Sequence, residues 1–182
     1  MELHKPLELI YLQIYRIPLH LLLLYCVFTA LVFCALYRRF AERSWLRPCL
    51  WLMLLAWLAS VLWATLLSRD TRGAYEAHWI PLYSYRVLFS GENPEILRSN
   101  LMNAVLFYPA GLLCCSLCRK SLRSRRGMLR TVLQLMLLSL TIELSQYWLH
   151  CGFCEIDDVL HNTLGAGLGF ASFRAFEQNT GR

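Results

Sequence analysis

Hydrophobic residues fall in five long blocks along the chain, and short polar segments separate these blocks. The blocks span roughly residues 18–37, 49–67, 100–118, 131–149 and 159–176. An α-helix rises about 1.5 Å per residue, so some 20 apolar residues cross a hydrocarbon core of about 30 Å. The pattern predicts an all-α, polytopic transmembrane helix bundle of about five spans, of which the last is short and rich in glycine.

Domain organisation follows from the same pattern, because the gaps between blocks are too short for a separate soluble domain. We expect tails over residues 1–17 and 177–182 and one membrane domain over residues 18–176. Two arginines close the first block, and no small-residue cleavage motif follows it. The first block is therefore expected to be a retained anchor helix rather than a cleaved signal peptide.

Composition supports a membrane protein, since charged residues make up 16% of the chain against about 25% in soluble domains. The net charge is +6, but the basic residues flank apolar blocks, which argues against nucleic acid as a partner. The loops at 38–47 and 119–130 are the most basic. Placing both in the cytoplasm puts 12 of the 18 Lys and Arg residues inside. This predicts a multi-pass protein of the cytoplasmic membrane, with the N-terminus outside and the C-terminus inside.

The longest loop, residues 68–98, contains an amphipathic aromatic segment that reads H-W-I-P-L-Y-S-Y at 78–85. Two alternatives are open for it. The segment lies in the headgroup region of the membrane, where aromatic amphipathic segments bind. Otherwise it is an extracellular loop that packs on the bundle.

A polar stripe runs through the fourth block. Its residues are spaced i, i+4, i+7 and i+11, so they share one narrow helical face: Ser139, Glu143, Gln146 and His150. An ionised carboxylate in mid-membrane costs roughly 2.5–3.5 kcal/mol on insertion scales. We therefore favour a functional role for Glu143 and Gln146. The alternative is a protonated Glu143 that links helices by hydrogen bonds.

The start of the last block is acidic and polar, with Asp157, Asp158, His161 and Asn162. One aspartate fits a helix N-cap. Asp158 and Asn162 are spaced i, i+4, so both are expected to point at the Glu143 stripe. Gly165 and Gly169 form a G-x-x-x-G motif, which lets another helix approach closely. We expect the fifth helix to pack on the fourth, so that the two polar faces meet.

Cys151 and Cys154 form a C-x-x-C pair that suggests two alternatives to a structural role. One is a redox pair or disulfide on the outer side. The other is a divalent metal site, because ligand-type side chains crowd this stretch. The candidate ligands are Cys151, Cys154, Asp157 and His161, with His150 and Asp158 nearby. Neither alternative is firm, so no cofactor is assigned.

Three motifs together resemble the VanZ-like family of bacterial membrane proteins. They are N-x-x-x-F-x-P-x-G (Asn103, Phe107, Pro109, Gly111), Glu143-x-x-Gln146, and E-I-D-D-V-x-x-N-T-x-G at 155–165. The resemblance covers residues 78–173 and implies a context of resistance to teicoplanin, a lipid-tailed glycopeptide. It places the family's recurrent polar positions on Asn103, Glu143, Gln146, Asp158 and Asn162. Members of the family often carry an arginine before the acidic turn, where this chain has His150-Cys151-Gly152.

Two functions remain in view. In the first, Asn103, Glu143, Gln146, Asp158 and Asn162 line a pocket that binds a lipid head group or a lipid-linked cell-wall component. Such binding would limit the docking of a lipoglycopeptide. In the alternative, the chain is a membrane-embedded enzyme in which Glu143, Asp158 and His161 act as acid or base on a lipid-linked substrate. A transporter is disfavoured, since five spans carry no inverted repeat.

Overall fold

The computed structural model describes residues 19–67, 69, 76–91, 95–118 and 125–179. The predicted tail at 1–17 and the basic residues Arg119, Lys120 and Arg123 lie outside them. The helices are α1 (Leu19–Phe40), α2 (Leu46–Leu62), α3 (Tyr83–Ser90), α4 (Glu95–Leu117), α5 (Arg125–Trp148) and α6 (Ile156–Asn179). A π-helical turn, Trp63–Leu67, continues α2. Two short strands, β1 (Ala77–His78) and β2 (Cys154–Glu155), complete the described elements.

The all-α prediction is confirmed. Three of the described helical segments are long and apolar enough to cross a membrane: Leu46–Leu67, Glu95–Leu117 and Arg126–Trp148. The α1 and α6 helices have 22 and 24 residues but are not among these three, so the count of five spans stays a prediction. The last helix is longer than the sequence pattern predicts, because it takes in the acidic residues before the apolar block.

Glycine faces bring α6 against α4. A Cβ atom at Gly165 would overlap the carbonyl oxygen of Ala104, and one at Gly169 would overlap that of Tyr108. The close contact is reciprocal, because a Cβ atom added at Gly111 on α4 would overlap the backbone of Ala166 on α6. The expectation that the last helix packs on the fourth block is confirmed, since α6 also contacts α5. The partner of the glycine face itself was wrong: Gly165 and Gly169 lie against α4, which forms the third block and has Gly111 at the contact.

Two buried clusters hold the bundle together. One lies between α1, α4 and α6 and includes Cys34, Cys115 and Phe173. The other lies between α2, α4, α5 and α6 and includes Val61, Phe107 and Ile142. All eight cysteines are free in the structure. Six of them lie within the apolar blocks, where cysteine acts as a small hydrophobic residue.

Trp57 connects two of the helices. Its indole Nε1–H donates a hydrogen bond of 2.8 Å to the carbonyl of Leu106. Pro109 lies inside α4 and cannot donate to the carbonyl of Val105, the neighbour of Leu106. The ring also packs edge-on against Phe107, with centroids 5.4 Å apart. Trp57 therefore joins α2 to the proline-containing part of α4.

The two ends of the bundle differ in chemistry. At the acidic end, β1 pairs in parallel with β2, with Ala77 opposite Cys154 and His78 opposite Glu155. The N-terminus of α6 and the C-terminus of α5 lie there too. At the basic end, α1 and α6 finish side by side, since the rings of Tyr37 and Phe173 meet with centroids 4.9 Å apart.

Candidate functional site

The polar faces of α5 and α6 meet inside the bundle at the acidic end. Ser139, Glu143 and Gln146 are buried on α5, and Asn162 is buried on α6. Asn162 Nδ2 donates a hydrogen bond of 2.8 Å to Ser139 Oγ. Glu143 and Asn162 are each 4% exposed, so neither side chain faces lipid.

His150 does not join this buried face. It is exposed, and its backbone has a φ of 54° in the left-handed region. The α5 helix ends at Trp148, so helical spacing no longer places His150 above Gln146. The prediction that the stripe continues to His150 was wrong for this reason.

Carboxylates gather where the two faces meet. Glu143 Oε2 accepts a hydrogen bond of 3.3 Å from the Glu155 backbone N–H. The charge of Asp158 acts directly on Glu143, and Glu155 adds a third carboxylate. Neighbouring carboxylate charges repel one another, and burial strengthens the repulsion. The arrangement is therefore unfavourable unless a proton, a cation or hydrogen-bond donors offset it.

Two amides lie near these carboxylates, and we use the name acidic pocket for the polar cluster of Glu143, Asp158, Asn103 and Asn162. The Asn103 side chain lies beside Asp158, but the geometry falls short of a hydrogen bond. Its Nδ2 is buried without a partner among the described residues, and so is Asn162 Oδ1. Leaving such an atom unpaired costs about 1–3 kcal/mol, so both atoms are available to a bound water, ion or ligand.

Gln146 makes its hydrogen bond to the end of α2 and not to the residues of the acidic pocket. Its Nε2 donates a hydrogen bond of 3.1 Å to the carbonyl of Thr65 in the π-helical turn. A π-turn leaves backbone groups out of helical register, so this bond holds the end of α2 against α5. The structure therefore gives Gln146 a bracing contact beside the pocket.

Arg69 supplies the positive charge that the sequence around the pocket lacks. It follows the π-helical turn, and its charge acts on both Glu143 and Asp158. Its guanidinium lies over Gly152, where a Cβ would come within 2.5 Å of Nη1. Sequence reasoning missed Arg69, because it lies far along the chain. The only signal was an arginine directly after an apolar block.

Asp157 fastens α3 to α6. Its carboxylate accepts hydrogen bonds from the backbone N–H groups of Leu82 (2.5 Å) and Ser84 (2.7 Å), and from the Ser84 hydroxyl (2.6 Å). Leu82 has a φ of 65°, in the left-handed region that residues other than glycine adopt uncommonly. Asp157 therefore satisfies the N-terminus of α3, whereas the sequence suggested a cap on its own helix. The segment 78–85 is packed at Ser84 and exposed at Trp79 and Ile80.

His161 is held from both sides of its ring. Nδ1 lies 2.6 Å from the Asp157 carbonyl, which only accepts, so Nδ1 carries the hydrogen. Nε2 lies 2.9 Å from the Tyr85 hydroxyl and is left to accept from it. Among the described residues, no three His, Cys, Asp or Glu side chains come together to hold a metal ion. A divalent metal therefore stays an untested prediction.

Cys151 and Cys154 are both buried and both free in the structure. Burial, with smaller contributions from the nearby carboxylates Glu143 and Asp158, raises the pKa of the Cys154 thiol to about 11. A raised pKa disfavours the thiolate, which is the reactive form. The arrangement is that of a shielded thiol rather than an activated one.

We expect Cys154 to resist alkylation in the folded protein. With a pKa of about 11, only about 0.1% of the thiol is ionised at pH 8. Labelling with iodoacetamide, followed by peptide mass spectrometry, should modify the exposed Cys49 first. The Cys154 rate should rise about tenfold per pH unit up to its pKa. Equal rates at Cys49 and Cys154 at pH 8 would contradict this expectation.

Comparison with known proteins adds one match. A family model described as VanZ/LLP1 matches residues 44–177. The matched region runs from just before α2 into α6, so it holds every residue of the acidic pocket and leaves out α1. No curated protein and no solved structure matches the chain. Together with the three apolar helices, the match indicates a membrane protein.

Proposed function

Because the chain belongs to the VanZ/LLP1 family, we propose that it binds the polar head of a lipid or of a lipid-linked cell-wall component in the acidic pocket. We further propose that it is a multi-pass protein of the bacterial cytoplasmic membrane. In this proposal, the bound head group limits the docking of teicoplanin and so links the chain to glycopeptide resistance.

The orientation of the bundle is part of the proposal. The basic end carries Arg38 and Arg39 at the finish of α1, and basic ends of membrane helices favour the cytoplasm. The acidic pocket then opens toward the outer leaflet, where lipid-linked wall components are exposed. A glycosylation or cysteine-accessibility map of the two ends tests this orientation directly.

One observation carries the proposal, namely the acceptor groups of the acidic pocket. Glu143 is buried beside Asp158, and Asn162 Oδ1 has no partner among the described residues. Acceptors of this kind suit a ligand with several donors, such as sugar hydroxyls or an ammonium group. Arg69 stands by the same carboxylates and suits an anionic part of the same ligand, such as a phosphate.

We expect Glu143→Gln and Asp158→Asn to abolish the protection against teicoplanin. Each substitution keeps the shape of the side chain and removes the charge that recruits donors, a contribution of about 1.5–3 kcal/mol per charged hydrogen bond. Susceptibility to teicoplanin and vancomycin should be measured at matched membrane levels. The teicoplanin value should fall to that of cells without the protein, while the vancomycin value should not change.

Glu76→Gln is the matched control, because Glu76 is an acid at the same end whose side chain is 68% exposed. It should behave as wild type. Arg69→Gln should weaken protection without abolishing it, since the acceptors remain. Undiminished protection in both Glu143→Gln and Asp158→Asn would remove the acidic pocket from the function.

A second candidate is an enzyme that acts on a lipid-linked substrate. The observation that favours it is a buried carboxylate, Glu143, beside the partly buried carboxylate of Asp158, since such pairs serve as acid and base elsewhere. Incubation of the purified protein with a lipid-linked wall precursor, followed by mass spectrometry, separates the two functions. A new product that Glu143→Gln fails to form supports the enzyme, whereas retained but unaltered ligand supports binding.

A further inference from the structure

A second polar site lies at the basic end, away from the acidic pocket. A crevice of about 710 Å³ opens there between the ends of α1 and α6. Leu31, Ala35 and Phe176 supply apolar wall, and Arg38 and Arg39 supply two guanidinium groups. We propose that this crevice binds the headgroup of an anionic phospholipid, with the phosphate between the two arginines.

Along the face of α1 that lines the crevice, the side chains change from apolar to charged, as the parts of a phospholipid do from its acyl chains to its headgroup. Leu31, Ala35, Arg38 and Glu42 are spaced i, i+4, i+7 and i+11, so they form one line along the helix. The line begins with an exposed leucine, passes a small residue and ends in charge. An acyl chain, a glycerol backbone and a phosphate present the same order from the membrane core outward.

Charge in the crevice is available to a ligand. Both Arg38 and Arg39 are exposed, and neither forms an ion pair with another residue that the structure describes. A cation at a helix C-terminus is favoured by the helix dipole, which accounts for arginine at the end of α1. The dipole does not account for a crevice whose volume falls within the range of about 300–1,000 Å³ that small-molecule sites occupy.

Glu42 shapes which anionic lipid fits. Its carboxylate lines the crevice, one turn beyond Arg38 on the same face of α1. A carboxylate there repels a second phosphate and accepts hydrogen bonds from hydroxyl groups. A headgroup with one phosphate and free hydroxyls, such as that of phosphatidylglycerol, satisfies all three side chains.

Native mass spectrometry of the detergent-solubilised full chain tests the proposal. The protein is titrated with dioleoylphosphatidylglycerol and, separately, with dioleoylphosphatidylcholine. We expect tighter binding of phosphatidylglycerol, and a loss of at least about tenfold in that affinity in the double variant Arg38→Gln, Arg39→Gln, since the loss of even one charged hydrogen bond implies that much. Inorganic phosphate at millimolar concentration should leave the lipid bound, because it lacks the apolar part.

The double variant Arg43→Gln, Arg47→Gln is the matched control. Both residues are exposed in the same basic segment, both lie outside the crevice, and the net charge changes equally. It should retain most of the lipid affinity. Equal losses in the two double variants would overturn the proposal, since they would mean that charge near the membrane acts without a site.

A third variant guards against unfolding as the cause of lost binding. Ala35→Phe keeps both arginines and fills the crevice, so it should also weaken binding of phosphatidylglycerol. All variants should melt within a few degrees of wild type, as surface changes do. Full binding by Ala35→Phe would show that lipid does not enter the crevice, and displacement by inorganic phosphate would show that the ligand is a free anion.

Discussion

Gly165→Ala is expected to destabilise the protein by about 3 kcal/mol, at the upper end of what overpacking costs. The added Cβ would overlap the carbonyl oxygen of Ala104 on α4. The obstacle is backbone rather than a flexible side chain, so α4 and α6 must separate. For a chain of this length the melting temperature should fall by about 6–12 °C, as measured by circular dichroism in detergent.

The same helix provides a matched control for this prediction. At Gly167 a Cβ would meet nothing within 4 Å, so Gly167→Ala adds helix propensity without a clash. It should stabilise the protein by roughly 0.5–1 kcal/mol. If the two alanine variants melted at the same temperature, the close approach of α4 to α6 would be wrong.

Asp157→Ala is expected to be the second strongly destabilising substitution. It leaves three donors at the start of α3 without their acceptor, and an unmet buried donor costs about 1–3 kcal/mol. We expect a loss of about 3 kcal/mol in the free energy of unfolding, since solvent will reach some of these groups. Thermal melting measures the total, and hydrogen exchange should show faster exchange within α3.

Asp158→Asn is the comparison for this test, because Asp157 and Asp158 are adjacent aspartates with different contacts. Asp158 accepts no well-formed hydrogen bond from Asn103, and its charge opposes that of Glu143. Removing that charge should leave the melting temperature unchanged or slightly raised. We therefore assign Asp157 to stability and Asp158 to function. A larger loss of stability in the Asp158 variant than in the Asp157 variant would contradict this assignment.

Much of the fold could be predicted from periodicity, since an apolar block of membrane length has few other structures available to it. The start of α6 could not be predicted. Asp157 and Asp158 resemble turn residues in the sequence, which does not show that α3 packs against them. The partner of the glycine face was also beyond the sequence. Gly165 and Gly169 predict close approach, but the choice of α4 depends on Gly111, 54 residues earlier in the chain.

The candidate site could likewise be predicted from the sequence only in part. Helical spacing was enough to predict the polar faces of α5 and α6, because both periods are local, but it did not indicate that Asn162 would bond to Ser139. Arg69 was not predictable, since only the folded chain brings it over Gly152. Asp157 was misjudged because its acceptor role depends on a backbone conformation at Leu82 that sequence patterns do not indicate.

The anchor of α3 also sets an order of assembly during synthesis. Asp157 follows Ser84 by 73 residues, and β2 likewise follows β1 after two intervening long helices. A ribosome that adds about 5–20 residues per second delivers Asp157 some 4–15 s after Ser84. Until then the start of α3 has exposed backbone donors, so a chain truncated before α6 should be a substrate for membrane proteases.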